Sequence, residues 1–231
     1  MVKVYNQITL MVAKETIGII GGTGQEGQGL ALRLGLAGFQ IIIGSRTIDK
    51  GNKAVEKLLT LAPGLSICIK DNISVSKQAD IVIISVPFEA HKDTLEPLAI
   101  LLAGKIVINV VVPLKFHNGI AYPLHLEEGS AAVQSQTLLP ESKIVGAFHN
   151  VSSHHLMNPS HPVDCDVIVC SDDEDAKTKV CQLAEQIEGI KAIDGGPLAN
   201  AQFSEQLTAL LININRIHHS NAMIRLTGLP K

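Results

Sequence analysis

The chain has 231 residues, of which 46% are hydrophobic and 18% charged, with a formal net charge of −3 and an isoelectric point near 6.3. This balance excludes a disordered chain, and the length allows one ample core or a full domain with a smaller one beside it. No apolar run approaches the roughly 18 residues of a membrane span, and nothing in the charge suggests a nucleic-acid surface.

Residues 1–14 carry Lys3 and Lys14 but no apolar core with a small-residue cleavage site. No secretory leader is expected, and Met11 is an alternative start. The first strand reads as 17–20, followed by a helix over 27–37 with Leu30, Leu34 and Ala37 on one face. A strand over 40–43 leads to a helix over 50–61, ended by Pro63-Gly64. Strands follow over 66–69 and 81–86, the second stopped by Pro87. A single helix is expected over 89–102, then a strand over 106–112, a helix over 130–138 and a strand over 144–148. Aliphatic strands alternating with helices predict an α/β fold, a doubly wound parallel sheet covered on both faces.

After Phe148 the texture changes. Residues 150–162 are polar and read as a connecting loop. A strand over 167–170 precedes an amphipathic helix over 173–188, whose acidic start suits a helix N-terminus. A short strand over 191–193 and a turn over 194–196 lead to a long last helix after Pro197. In it Phe203, Leu207, Leu210, Leu211, Ile214 and Ile217 recur at helical spacing, as a core face or a dimer interface. We place the domain boundary at 150, with residues 1–150 forming the first domain and residues 151–231 a smaller α/β domain. Cys68, Cys165, Cys170 and Cys181 contain no C-x-x-C pair and read as reduced cytosolic thiols.

The strongest motif is Gly22-Thr23-Gly24-Gln25-Glu26-Gly27, a G-x-G-x-x-G directly after a strand and opening a helix. In that context Gly22 permits a tight turn, Gly24 lets a pyrophosphate approach the backbone, and Gly27 lets helix and strand pack closely. Free amides at the helix start hydrogen-bond the phosphates. At the end of the second strand no carboxylate waits for a ribose. Ser45, Arg46 and Lys50 stand there instead. A hydroxyl, a forked guanidinium and a further cation suit the 2′-phosphate of NADP.

These segments resemble the NADPH-dependent coenzyme F420 reductase family. The resemblance runs through Gly21-Gly22-Thr23-Gly24, Ile43-Gly44-Ser45-Arg46 and Val86-Pro87-Phe88-Glu89. It continues through Ser171-Asp172-Asp173-Glu174, Gly195-Gly196-Pro197-Leu198 and Asn213-Ile214-Asn215-Arg216. It implies a Rossmann domain, a smaller C-terminal domain completing a substrate cleft, and a dimer. By residue, it implies NADP binding by Thr23, Gly24, Gln25, Glu26, Ser45, Arg46 and Lys50. Pro87 and Phe88 would lie by the nicotinamide, with Lys92 and Ser153 lining the cofactor and Met223 near the second ring. The implied reaction passes hydride between the nicotinamide and F420, an 8-hydroxy-5-deazaflavin, and needs no catalytic dyad.

His149 matches the family's substrate-side loop, while residues 154–161 and 218–223 diverge from it. His149, His154, His155 and His161 lack a zinc spacing, so no metal is expected. They read as a polar loop at a cleft, with His149 near the nicotinamide. Two alternatives stay open at this point. One is a cytoplasmic NADPH-dependent reductase of a flavin, a quinone, or a ferric or cupric chelate. The other is a non-catalytic NADPH sensor.

Overall fold

The computed structural model describes residues 15–229. The reading of residues 1–14, including Met11, lies outside them. The chain opens with β1 (Thr16–Ile20), α1 (Gln25–Leu36), β2 (Gln40–Gly44), α2 (Ile48–Leu61) and β3 (Ile67–Lys70). Next come α3 (Asn72–Gln78), β4 (Ile81–Ile84), α4 (His91–Leu95), α5 (Ala99–Leu102) and β5 (Ile106–Asn109). A hairpin of β6 (Leu114–His117) and β7 (Ile120–Pro123) precedes α6 (Ala131–Leu138) and β8 (Lys143–Gly146). The last part holds α7 (Ser153–Leu156), β9 (Cys165–Val169), α8 (Glu174–Ala184), β10 (Ile190–Asp194) and α9 (Ala201–His218).

Six strands form a parallel sheet in the order β3-β2-β1-β4-β5-β8. Alternate side chains feed two cores, as the strand pleat requires. Ile17, Ile19, Ile41, Ile43, Ile81 and Ile83 pack on one face, and Ile20, Ile42, Val82 and Ile84 on the other. The strand order reverses between β1 and β4. In open α/β sheets such a reversal leaves a crevice beyond the strand ends.

Four elements differ from the sequence reading. The helix expected over 89–102 is broken into α4 and α5 by a 3-10 turn at Glu96–Leu98. Pro97 explains the break, since it has no N–H and its ring crowds the preceding turn. The helix α3 was not expected, and Asp71 caps it by accepting the Ser74 amide at 2.9 Å. The hairpin β6–β7 turns on Asn118-Gly119, whose φ values are 49° and 75°. Such a two-residue turn matches the strand twist. One turn of helix, α7, lies inside the segment read as loop.

Strands β9 and β10 pair in parallel beside the main sheet. Gly146 and Cys170 join the two sheets through reciprocal amide–carbonyl bonds of 2.8 and 2.9 Å. The core continues across this junction, through Val163, Cys165 and Val167. Helix α9 turns a small and polar face inward, with Ala201, Ser204, Glu205 and Ala209 buried. Within its apolar stripe, Phe203, Leu210 and Ile217 point out, 62%, 55% and 63% exposed, whereas Leu211 is buried. The stripe is therefore only partly core. Asn213 ties the hairpin to this helix by exchanging two 2.9 Å bonds with the Ala121 backbone.

Candidate functional site

A cleft opens at the carboxyl ends of β1 and β4. It has two lobes that share Gly24, Ser85, Val86 and Pro87. The first lobe, of about 520 Å³, is bounded by the glycine loop, the end of β2 and the lysine face of α2. The second, of about 450 Å³, runs between Phe88, residues 110–112, residues 148–153 and the inner face of α9.

In the loop, the left-handed turn falls on Gly21 (φ 82°) rather than on Gly22. A Cβ on Gly21 would stand 2.4 Å from the Ser85 carbonyl oxygen, and one on Gly22 would stand 2.9 Å from that of Ile19. A Cβ on Gly27 would stand 2.7 Å from the Gly22 Cα. These three are glycine for the protein's own packing. Gly24 differs, because its Cβ would meet nothing nearer than 3.5 Å. The space beside it is open. Gly24 is also the N-cap of α1 and gives no side-chain cap, so the first amides of the helix await an acceptor at the cleft. Gln28 braces the loop by donating from Nε2 to the Thr23 carbonyl at 2.7 Å.

Ser45 and Arg46 follow β2, and Lys50 lies in the first turns of α2; all three line the first lobe. The Ser45 hydroxyl donates to the Thr47 carbonyl at 2.7 Å, which fixes the turn. Lys53 and Lys57 line the same lobe and were missed by sequence reasoning. The signal was available, since positions 50, 53 and 57 share one helix face. Among the described residues, none of Arg46, Lys50, Lys53 and Lys57 forms an ion pair. Asn72 also lines this lobe, and its Oδ1 is buried without a partner.

Phe88 lines the second lobe and lies on buried His91. His91 is held from three sides by Gln134 (2.9 Å), Ser135 (3.0 Å) and Asn109 (2.9 Å). Gln25, Glu26, His149 and Ser153 line the lobe as well. Glu26 buries its Oε1 without a partner, and burial pushes its carboxyl up to about 8. Burial lowers His149 to about 4, opposed by the Asn109 carbonyl. Glu205, behind His149, is raised to about 7 by burial, opposed by the amides of Ala131 and Ala132.

Two sequence-read residues are not brought into the cleft. Lys92 lines neither lobe, its side chain 65% exposed and paired with Glu96 at 3.6 Å. Met223 packs against the core, while its neighbour Ala222 lines the second lobe. The histidine segment is positioned by a residue that sequence reasoning missed. Arg33 of α1 is buried and donates to the carbonyls of Leu156 (2.9 Å), His155 (2.7 Å), His161 (2.8 Å) and Asn158. A charged residue on a helix that reads as apolar was the only hint. Among the described residues, no three His, Cys, Asp or Glu side chains converge as metal ligands.

A Rossmann-type sheet with this loop, an uncapped helix start and a cluster of unpaired cations defines a dinucleotide-binding α/β protein. Residues 16–113 match the family model described as NADP oxidoreductase, coenzyme F420-dependent. The chain belongs to the F420-dependent NADP reductase family. A protein of that name from Methanothermobacter thermautotrophicus is 41% identical over 232 residues, covering 97% of this chain and 99% of its own. Another of that name, from Methanocaldococcus jannaschii, is 41% identical over 223 residues, covering 92% of this chain and 98% of its own. A crystal structure from Arthrobacter sp. FB24 shares the fold, with a TM-score of 0.78 over 90% of this chain and 96% of that one, at 23% identity. No helix among the described residues is long and apolar enough to cross a membrane.

Proposed function

We propose that the protein transfers hydride between NADP(H) and coenzyme F420. The observation that carries this reading is the joined cleft. A phosphate-binding loop and unpaired cations fill one lobe, and an open second lobe lies beside it. A plugged second lobe would favour an NADPH sensor. Phe88 lines it without plugging it, and Met223 packs against the core.

The residues fit the nucleotide. The amides at the start of α1, with Gly24, suit the pyrophosphate, and Ser45, Arg46 and Lys50 suit the 2′-phosphate. Thr23, Gln25 and Glu26 flank the phosphates, and Pro87, Phe88 and Ser153 flank the nicotinamide. Lys92 and Met223 are left out of this site. The bound nicotinamide supplies the hydride chemistry. The protein's part is to hold two rings face to face and keep water out, which the aliphatic wall at 110–112 and Leu211 favours.

In this reading residues 1–150 hold the nucleotide and residues 151–231 complete the cleft. We place the enzyme in the cytoplasm, which suits its four free thiols. It acts on small molecules and not on nucleic acid. It works as a homodimer through the outward stripe of α9, beside a hairpin that exposes Phe116 and Tyr122.

The test mixes the protein with NADPH and oxidised F420 and follows loss of the deazaflavin's visible absorbance, with NADH as control. Loss with NADPH alone supports the reading. Tight NADPH binding by calorimetry without turnover would reject F420 and turn the search to flavins, quinones and metal chelates.

A further inference from the structure

A third cavity, of about 680 Å³, lies between the second half of α2 and the segment that Arg33 holds. It adjoins both lobes of the cleft. Lys57 belongs to its wall and to that of the first lobe. Gln25 and Ser153 belong to its wall and to that of the second. A guest whose ring lies in the second lobe can therefore extend past Gln25 and Ser153 into this space.

The chemistry of the wall is one-sided. No aspartate or glutamate lines it. Lys57 brings an ammonium that, among the described residues, pairs with no carboxylate. Asn158 accepts the Ser160 amide on Oδ1 at 3.2 Å. The partner is an N–H, so the atom facing it is the oxygen, and both N–H donors of the Asn158 side chain are left over. Ser153 and Ser160 add hydroxyls. Arg33 meanwhile engages the carbonyls of His155, Leu156, Asn158 and His161. A cation set among uncommitted N–H and O–H groups suits an anion.

The 2′-phosphate does not supply that anion. Lys57 lies seven residues beyond Lys50, about 10 Å along the helix axis at roughly 1.5 Å per residue. One phosphate group held by Ser45, Arg46 and Lys50 does not span that distance.

We propose that this cavity holds the anionic tail of the hydride acceptor. The proposal deepens the NADPH–F420 reading and rests on it. Coenzyme F420 carries its ring on a ribityl chain that continues into a phosphodiester and carboxylates. With the ring in the second lobe, the chain passes Gln25 and Ser153, and its charges meet Lys57, Asn158 and Ser160. The site selects among acceptors by the charge of their tail and takes no part in hydride transfer itself.

The test compares intact F420 with the same deazaflavin cut back to its ribityl chain, which keeps the ring and loses every tail charge. Binding of each to the protein loaded with oxidised NADP is read from the deazaflavin's fluorescence. Intact F420 should bind about 10- to 100-fold tighter at low salt, the worth of a charge-assisted contact. That advantage should shrink as salt screens it. Ser160→Glu puts a negative charge into the cavity and should erase the advantage, with the affinity of the truncated ring unchanged. Lys57→Gln should remove most of it.

Equal binding of the two deazaflavins by the unmodified protein would overturn the proposal. So would an advantage that survives both variants. A loss in Lys57→Gln shared equally by the truncated ring would assign Lys57 to the nucleotide and count against the site. If Ser160→Glu fails to fold, the salt dependence and Lys57→Gln decide. Reduction of the truncated ring by NADPH tests the acceptor reading with the tail removed. If neither deazaflavin is reduced, that reading fails, and the binding comparison still accepts or rejects the site.

Discussion

Phe88 and His91 stack with their ring centroids 6.1 Å apart and their planes 26° from parallel. The aromatic wall of the second lobe thus rests on a ring fixed by three side chains from β5 and α6. His91→Leu keeps the volume but strands Gln134, Ser135 and Asn109. We expect a loss of roughly 2 kcal/mol in denaturant unfolding. We also expect kcat to fall while the NADPH Kd stays unchanged. A weakened Kd at constant kcat would show that Phe88 does not depend on His91.

The glycines of the loop separate packing from binding. Gly27→Ala drives a methyl to 2.7 Å from the Gly22 backbone, and should cost about 1–3 kcal/mol in thermal unfolding. Gly24→Ala meets no protein atom nearer than 3.5 Å. It should leave the melting temperature alone and weaken NADPH binding. Equal melting losses in both variants would contradict the assignment of that space to a ligand.

Arg46→Ala should weaken NADPH about 10- to 100-fold, the worth of charge-assisted bonds to one phosphate. Binding of NADH should not change. Calorimetry with both nucleotides decides. An unmodified protein that binds the two equally would remove the 2′-phosphate site.

Glu26 gives the cleft a pH dependence. Its folded value, about 8, lies above its unfolded value of 4.5. The stability it contributes is therefore complete below pH 4.5 and lost as the pH rises through 8. Ionised, it places a negative charge beside the phosphates. The NADPH Kd should rise above pH 8 by no more than about tenfold per unit, and stay level in Glu26→Gln. Parallel curves would clear Glu26 of any role.

The outward stripe of α9 predicts the assembly. Leu210→Glu puts a charge at the centre of that stripe and should yield monomers in analytical ultracentrifugation, with the fold intact by circular dichroism. A monomeric parent at tens of micromolar would rule out the dimer.

The aliphatic strands, the loop and its cations were legible because each follows from a local rule. The pleat alternates at Ile17–Ile20, the helix starts after Gly24, and no carboxylate follows β2. Other features failed for equally physical reasons. The hairpin carried its Asn118-Gly119 signal, but its strands are short and exposed, so the apolar alternation is faint. Pro97 lies in the middle of the run read as one helix over 89–102 and divides it. Glu205 and Ser204 stayed hidden because the strongest apolar stripe of α9 faces outward. The inner face is written in small and polar residues that meet partners more than fifty positions away, as His149 does with Ser204. Such pairings leave no local pattern.

Arg33 has a consequence of another kind. It holds the 155–161 segment by backbone carbonyls alone, and every amino acid has one. The side chains of that segment are free to change while its position persists. Met157, Asn158, Pro159 and Ser160 of this segment line a cavity with Gln25, and the chemistry of that wall can therefore drift across generations without dismantling the helix that anchors it. Single substitutions there can recast that wall while the start of α1 keeps its place.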